Sequence, residues 1–536
     1  MTCAEARPYA GAVAWPARHR VPLAATAAAA PLYAVWGAVL ATGGGDLAAQ
    51  EAWAGFVTLH PGAPYNLSWH GGLHTAGYSV LSPYAMAALG VRPVSVACGL
   101  GATWLAGMLC VRSGLRRPLA PALTLALVLW CQVASGRTTF MLGVVFACGA
   151  LVVLLSGRSS AAVVVCAALA GLASPVAGLF LGVVGAGRLL TGRWGQAAAL
   201  AAPPAAVLGL AAWLFPFGGE QPMDFVRVWP PLVMTLAAVA AAPPAWRTVR
   251  RAGAVYAVGV LLAYAVPSPV GTNIERLAHL AAPAVLVAAL PARGARTVAA
   301  RRLACTAVLA LGLAWVGGNT AAHLRDTAAV PAWAADTDGV VRALERLGAD
   351  RTRVEVVMAR SHREAAVLAP RLTLARGWNR QADVERGPLF YGASEALTPR
   401  AYRAWLDRWA VGFVAVHGGA LDGASEPEYR LVSSRPDYLE PVWRDANWQV
   451  YRVRSAVPLV DPPASVVRAD GAEVVVHMPT AGTVTLRIVH SPWLRADAGC
   501  LERAGGSGLT RLTASGPGDI TIGSSYTGGR ARPCAA

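Results

Sequence analysis

The first side chains that could carry chemistry lie between Gly43 and Tyr84, just after a long apolar run that is typical of a membrane span. This segment contains two carboxylates and three of the chain's ten histidines: Asp46, Glu51, His60, His70 and His74. A carboxylate at a membrane surface is partly desolvated, which raises its pKa and suits it to take a proton from a hydroxyl. We therefore predict that Asp46, which follows three glycines, is a catalytic base, with Glu51 as the second candidate. A compatible alternative is that Asp46 caps a helix starting at residue 47.

Such a base needs a partner that stabilises an anionic leaving group. Arg137 lies between two apolar runs in ASGRTTF, and Arg276 lies in GTNIERLAHL. A guanidinium binds phosphate through two hydrogen bonds and stabilises charge as the phosphate departs. The sequence therefore predicts a phosphate-binding group formed by Arg137, Arg276, Asn273, His70 and His74. The alternatives are an interfacial anchor for Arg137 and an ion pair of Arg276 with Glu275.

Several other chemistries have little support in the sequence. His70 and His74 are spaced for one face of a helix, but the two glycines between them disfavour a helix and no third metal ligand is evident. The chain has no Walker loop, no GxGxxG that opens a helix, no HExxH and no CxxC. Nucleotide hydrolysis, dinucleotide redox chemistry and zinc proteolysis therefore lack their motifs. We expect neither a metal nor a cofactor.

The composition indicates a polytopic membrane protein. Mean hydropathy is +0.46 and 14% of residues are charged, against about 25% in soluble domains. Of the 29 acidic residues, six precede position 320, where they accompany 20 arginines. The positive excess thus lies between apolar runs rather than in a basic soluble domain, so we expect no nucleic-acid partner. All 46 basic residues are arginine, which is typical of a high-GC bacterium.

The apolar runs predict an all-α membrane bundle of about eleven transmembrane helices. With a cytoplasmic N-terminus, alternate threading places sixteen arginines inside and leaves Arg92, Arg137, Arg227 and Arg276 outside, as the positive-inside rule requires. The same threading brings Asp46, Asn273 and the histidines of the first loop to the outer face. The predicted spans are residues 21–42, 93–111, 118–135, 138–156, 160–174, 176–190, 195–214, 225–242, 253–267, 277–292 and 303–318.

The remaining chain has the pattern of a water-soluble region on the outer side of a plasma membrane. We predict a transmembrane domain over 1–319 with its first external loop at 43–92, a linker over 320–336, an extracytoplasmic α/β domain over 337–460 and a β-rich module over 461–536. Cys500 and Cys534 are the cysteines of this soluble half. Outside the cytoplasm a disulfide between them is permitted.

The membrane half resembles the GT-C superfamily of membrane glycosyltransferases. The resemblance rests on the acid after the first span, the amphipathic stretch behind it, the segment TAGYSVLSPY, the short proline-broken spans and the exported C-terminal region. It implies transfer of a sugar from a polyprenyl-phosphate donor to a cell-envelope glycan or lipid acceptor, with inversion. On this chain the family's base corresponds to Asp46, less closely to Glu51. The implied partners are the lipid-linked donor, the acceptor and membrane lipids.

Two other function classes stay open at this stage. A secondary transporter or lipid-linked-sugar flippase is one, although such proteins carry ionisable groups in mid-span and internal repeats, which this sequence lacks. The other is a non-catalytic envelope scaffold whose aromatic run PDYLEPVWRDANWQVYRV binds glycan. That run is also typical of a closing strand at the edge of an α/β core.

Overall fold

The computed structural model describes residues 15–290, 297–392, 396–530 and 534. Its N-terminal region is mostly helical, and its C-terminal region is rich in β-structure. A π-helical stretch, Trp36–Leu40, continues the first helix, and a 3₁₀ turn, Gly271–Ile274, precedes the thirteenth. The elements of the N-terminal region are α1 (Trp15–Val35), α2 (Asp46–Leu59), the hairpin β1 (Tyr65–Asn66) and β2 (Leu73–His74), α3 (Thr75–Tyr78), α4 (Ser82–Leu89), α5 (Val91–Arg112), α6 (Leu119–Ala134), α7 (Thr138–Leu155), α8 (Ser160–Ala173), α9 (Pro175–Leu189), α10 (Trp194–Leu214), α11 (Phe225–Ala241), α12 (Arg247–Ala265), α13 (Glu275–Ala289) and α14 (Thr297–Thr327).

Each predicted span overlaps a helix of this region, but the number that cross the membrane stays a prediction. Within the described residues, five helices are long and apolar enough to cross: His19–Leu40, Val91–Arg112, Thr138–Leu155, Trp194–Leu214 and Arg302–Thr327. The shorter helices α6, α8, α9 and α11 are also apolar. Helix α14 continues to Thr327, so it occupies the start of the segment predicted as a linker. Arg7, Arg293 and Arg296, which the threading places inside, lie outside the described residues.

Small residues bring the helices of the membrane region into close contact. Gly99 of α5 faces the ring of Tyr33 on α1, and a Cβ at Gly143 of α7 would lie 2.6 Å from the Cβ of Ala177 on α9. Lipid offers no hydrophobic driving force for helix association, so van der Waals contact of this kind stabilises the bundle. Outward-facing Leu210 is 55% exposed, as expected of a side chain that meets lipid.

An α/β domain follows, because short β-branched runs alternate with amphipathic helices. Its sheet has the order β3–β4–β6–β5, in which β3 and β4 are parallel and the other neighbours antiparallel. Helix α16 buries Val340, Val341 and Leu344 against this sheet. The elements are α15 (Ala332–Ala335), α16 (Asp338–Arg346), β3 (Arg353–Val356), α17 (Glu364–Val367), α18 (Arg380–Arg386), α19 (Pro399–Arg408), β4 (Val411–His417), α20 (Glu426–Ser433), β5 (Leu439–Arg444) and β6 (Trp448–Val453).

The C-terminal module is a β-sandwich of two antiparallel sheets, ordered β10–β13–β8–β7 and β11–β12–β9. Alternate side chains of both sheets, including Val476, Leu486, Leu512 and Ile522, form one buried cluster between them. Cys500 and Cys534 form a disulfide. The strands are β7 (Ser465–Ala469), β8 (Val474–Met478), β9 (Gly482–Val489), β10 (Leu494–Ala496), β11 (Cys500–Arg503), β12 (Leu509–Ala514) and β13 (Gly518–Ser524).

Candidate active site

The N-terminus of α2 lines a cavity of about 550 Å³ between the membrane helices and the α/β domain, which we call the main cavity. Asp46 is the first residue of α2, and Gly45 before it has a φ of 65°, a conformation that favours glycine. The turn between α6 and α7 approaches the backbone of α2 closely because Gly136 has no side chain. A Cβ at Gly136 would lie 2.6 Å from the nitrogen of Leu47. Arg137 is thereby placed beside Asp46, with its Nε 3.7 Å from Oδ2.

The capping alternative for Asp46 is not realised. Gly45 occupies the N-cap position of α2, and no side chain makes a capping hydrogen bond there. The carboxylate instead turns toward the main cavity and keeps 36% of its side chain exposed. It is therefore accessible to a bound hydroxyl, and it lies in the first helical turn, where the dipole favours negative charge.

Two further predicted site residues line the same cavity. Asn273 comes from the 3₁₀ turn before α13, and Arg276 from the first turn of α13. The guanidinium of Arg276 lies 5.2 Å from the centroid of the Phe140 ring. The structure thus brings Asp46, Arg137, Asn273 and Arg276 together from three separate segments of the chain.

Other polar residues of the main cavity were not singled out from the sequence. Glu275 pairs with Arg227 at 3.5 Å rather than with Arg276, so the ion pair considered above has a different partner. Among the described residues, neither ring nitrogen of His279 has a hydrogen-bond partner. His279 follows Glu275 by four residues, so both side chains lie on one face of α13. This spacing is the sequence signal that could have identified His279. The residues missed are Gln50, Tyr78, Arg227, Glu275, His279 and Arg380.

Tyr78 lies among the charged groups of the main cavity. Burial raises the pKa of its hydroxyl; Arg276 and Arg137 lower it, whereas Asp46 raises it. The ring of Tyr78 stacks on Trp53 at 6.4 Å, which fixes its orientation. The phenol therefore remains protonated at neutral pH and can donate a hydrogen bond into the cavity.

The main cavity is electropositive. Among the described residues of its lining, four arginines face two carboxylates, a formal excess of two positive charges: Arg137, Arg227, Arg276 and Arg380 against Asp46 and Glu275. A concave site with this excess favours an anionic ligand. No group of three metal-type ligands occurs in the described part of the chain. The chemistry available is proton abstraction by a carboxylate beside cations that stabilise a developing anion.

The α/β domain closes one side of the main cavity with the segment 378–381. Asn379 caps α18, since its Oδ1 accepts a hydrogen bond from the nitrogen of Ala382 at 3.1 Å. Gln381 donates to the carbonyl oxygen of Pro269 at 3.1 Å, which attaches α18 to the loop before α13. A side chain of the α/β domain, Arg380, therefore reaches the same site as the membrane helices.

The same domain holds the glycine turn that carries Asp46. The nitrogen of Gly45 donates to the carbonyl oxygen of Ser361 at 2.6 Å. The Nη2 of buried Arg363 donates to Thr42 Oγ1 at 2.6 Å and to the carbonyl oxygen of Thr327 at 2.7 Å. Arg363 thereby joins the glycine turn before α2 and the end of α14 to the domain, and its Nη1 also donates to the carbonyl oxygen of Thr42.

The structure places Glu51, His70 and His74 away from these groups; in the described part of the chain, the lining of the main cavity includes none of the three. Glu51 faces a smaller cavity of about 260 Å³ beside His60, where burial raises its pKa. His70 lies in a turn with a φ of 53°, and its Nε2 accepts a hydrogen bond from the nitrogen of Gly377. Burial lowers the pKa of both His70 and His74, so both are neutral groups of the loop core.

His74 makes the stability of this loop depend on pH. Its ring packs against Tyr65 and Phe215, with centroids 4.8 and 5.8 Å away, and burial lowers its pKa from 6.5 to about 4. Between these values the unfolded chain binds a proton that the folded chain does not, so stability falls as pH falls through this window, by about 3 kcal/mol in total. We expect the thermal midpoint of His74→Gln to fall less between pH 7 and pH 4.5 than the thermal midpoint of the wild type.

The matched control is His477→Gln, which removes an exposed histidine of the sandwich and should leave the acid sensitivity unchanged. Equal pH dependence in wild type and His74→Gln would contradict the assignment.

Comparisons with known proteins bear on the sandwich and on the overall arrangement. A family model described as Domain of unknown function (DUF8823) matches residues 461–499. No curated protein matches the chain. The structure is similar to a cryo-EM structure of the arabinofuranosyltransferase AftD from Mycobacteria, with 16% identity and a TM-score of 0.43. The match covers 86% of this chain and 41% of that protein, so the chain spans about two fifths of its length.

Proposed function

We propose that this chain is an integral membrane glycosyltransferase that transfers a sugar from a polyprenyl-phosphate donor to a cell-envelope acceptor on the outer face of the plasma membrane. The observation that carries the proposal is the main cavity, in which Asp46 lies 3.7 Å from Arg137 within an excess of arginines. A base adjacent to anion-binding groups is the combination that displacement of a phosphate by a hydroxyl requires.

In the proposed mechanism Asp46 takes the proton of an acceptor hydroxyl as its oxygen attacks the anomeric carbon of the donor. The bond between that carbon and the phosphate oxygen breaks on the opposite side, and its electron pair leaves with the polyprenyl phosphate. The anomeric configuration is inverted. The leaving phosphate gains negative charge in this step. Arg137 and Arg276 therefore stabilise the transition state more strongly than they stabilise the bound donor. Phosphate leaves without protonation, so no general acid is needed.

The placement of the soluble region supports an external site. The disulfide between Cys500 and Cys534 is of the kind that persists in oxidising compartments. The α/β domain adjoins the main cavity through residues 378–381. The proposal therefore has the N-terminus in the cytoplasm, and the cavity and C-terminal domains outside.

A transfer assay tests the proposed function. The purified chain in lipid nanodiscs is incubated with polyprenyl-phosphate sugars that carry a radiolabel in the sugar. We expect release of polyprenyl phosphate together with a labelled glycoside, or with free sugar where water is the acceptor. Passage of the intact lipid-linked sugar across a proteoliposome membrane, without a new glycosidic bond, would contradict the proposal and support a flippase.

Arg276→Gln is expected to lower the transfer rate about 100-fold, because one cation that stabilises the leaving phosphate is removed. Inhibition by farnesyl phosphate should weaken at least tenfold, while farnesol, which lacks the phosphate, should be a poor inhibitor of both proteins. Arg158→Gln removes an exposed arginine of the loop between α7 and α8 and is the matched control. Unchanged inhibition by farnesyl phosphate in Arg276→Gln would exclude Arg276 from phosphate binding.

Arg363→Lys is expected to lower kcat about tenfold and leave KM for the donor nearly unchanged. The planar guanidinium of Arg363 donates at once to Thr42, in the turn before Asp46, and to Thr327 at the end of α14. An ammonium cannot reproduce this planar set of donors, so the turn that carries Asp46 loses its fixed position. Arg360→Lys changes an exposed arginine three positions earlier and should retain full activity. A rise in KM with constant kcat would show that Arg363 affects binding rather than the position of the base.

A further inference from the structure

A second cavity, of about 830 Å³, is lined by the C-terminal half of α18, whereas residues at the start of that helix line the main cavity. Its walls come from the end of α10, from α18 and α19, and from sandwich loops around residues 490 and 507. Ala212 and Phe217 line both cavities, so a ligand in the second cavity extends to the edge of the main one. The volume falls within the range of natural ligand sites.

The lining of the second cavity combines positive charge with aromatic rings. Among its described residues, three arginines face one carboxylate, a formal excess of two positive charges: Arg386, Arg408 and Arg503 against Glu385. Arg408 and Arg503 are exposed, and Arg386 donates to the carbonyl oxygens of His70 and Gly72, which carry no charge. The charge of the cavity is therefore not neutralised internally, and it favours an anionic ligand.

Two buried tryptophans support the wall of the second cavity, and an imidazole supplies a further polar group. The indole nitrogens of Trp405 and Trp409 donate to the carbonyl oxygen of Arg386 at 3.1 and 3.3 Å, which fixes both rings at the cavity wall. His490 also lines the cavity, and within the described residues its buried Nδ1 has no hydrogen-bond partner. Burial lowers the pKa of His490, so the neutral ring can exchange hydrogen bonds with a hydroxyl.

We propose that the second cavity binds the acceptor, and that this acceptor is an acidic oligosaccharide whose carboxylate or phosphate groups contact Arg408 and Arg503. This rests on the proposed function, since it assigns the acceptor of that reaction. The bound glycan extends past Phe217, so that its terminal hydroxyl enters the main cavity near Asp46. His490 exchanges hydrogen bonds with the sugar hydroxyls, and the arginines select the charge.

Binding is measured with the full chain carrying Asp46→Asn in nanodiscs, so the readout is independent of transfer. The probes are tetragalacturonate, which is acidic, and maltotetraose, which is neutral and of equal length. We expect tetragalacturonate to bind, maltotetraose to bind at least tenfold more weakly, and affinity for the acid to fall with rising salt. The double variant Arg408→Gln/Arg503→Gln should weaken tetragalacturonate at least tenfold.

The control double variant is Arg468→Gln/Arg511→Gln, which changes sandwich arginines that pair with Glu473 and Glu502 on the surface. It should leave affinity unchanged, and equal thermal midpoints establish that all variants fold. Absence of tetragalacturonate binding, equal affinity for both probes, or equal loss in both double variants would overturn the proposal. Binding without any transfer by wild type would leave this site standing and count against the proposed function alone.

Discussion

Asp46→Asn is expected to abolish measurable sugar transfer, with a loss of about 10²- to 10⁴-fold, because an amide of the same shape cannot accept the acceptor proton. The fold should persist. Asp46 makes no capping bond in α2, and its pair with Arg137 is partly exposed on both sides, so removing the charge costs about 0–1 kcal/mol. A large kinetic effect with a small change in thermal midpoint identifies a catalytic rather than a structural carboxylate.

Glu51→Gln is the matched control, because it changes the other acid of the same helix. Glu51 faces the smaller cavity with His60 and is absent from the described lining of the main cavity, so the variant should retain near wild-type transfer. If Glu51→Gln were inactive and Asp46→Asn active, the assignment of the base would be reversed. Full activity in both variants would exclude a carboxylate base on α2.

The sequence predicted the elements of the membrane region well, since long apolar runs define helices independently of their neighbours. Its assignment of polar residues from several loops to one outer face of the membrane stays a prediction. Asp46, Arg137, Asn273 and Arg276 follow or precede apolar runs at the same end of alternating helices, and the structure places all four around one cavity. Their catalytic and binding roles remain proposals.

The prediction was incomplete where tertiary contacts decide the position of a side chain. Nothing in the local pattern of His70 and His74 shows that the loop folds inward, which follows from contacts such as that of His70 with the nitrogen of Gly377. Arg363 and Arg380 act on the site from segments more than 300 residues after Asp46. The local sequence around these two arginines does not indicate that they reach the site, because the residues they contact there are distant in sequence.

Arg376→Met is expected to destabilise the α/β domain by about 3–5 kcal/mol, because it strands buried carboxylates. Arg376 is buried; its Nε donates to Glu355 at 2.8 Å and its Nη2 to Glu428. Burial raises the pKa of both glutamates, an effect that Arg376 opposes. Without the arginine, both glutamates stay protonated in the folded domain at pH values above 4.5, where the unfolded chain releases these protons. The loss of folding stability in Arg376→Met should therefore grow as pH rises. Amide hydrogen exchange in β4 measures this local stability.

Arg371→Met provides the comparison that isolates burial, since Arg371 makes two hydrogen bonds to Glu345 on the exposed surface at 3.1 and 2.9 Å. Removing it should cost about 0–1 kcal/mol. Adding Glu355→Gln and Glu428→Gln to Arg376→Met should restore part of the loss, because the stranded charges disappear. Similar exchange rates in Arg376→Met and Arg371→Met would contradict this account. Since Arg376 lies two residues before the segment 378–381 that closes the main cavity, transfer should fall together with stability in Arg376→Met and recover with it in the triple variant.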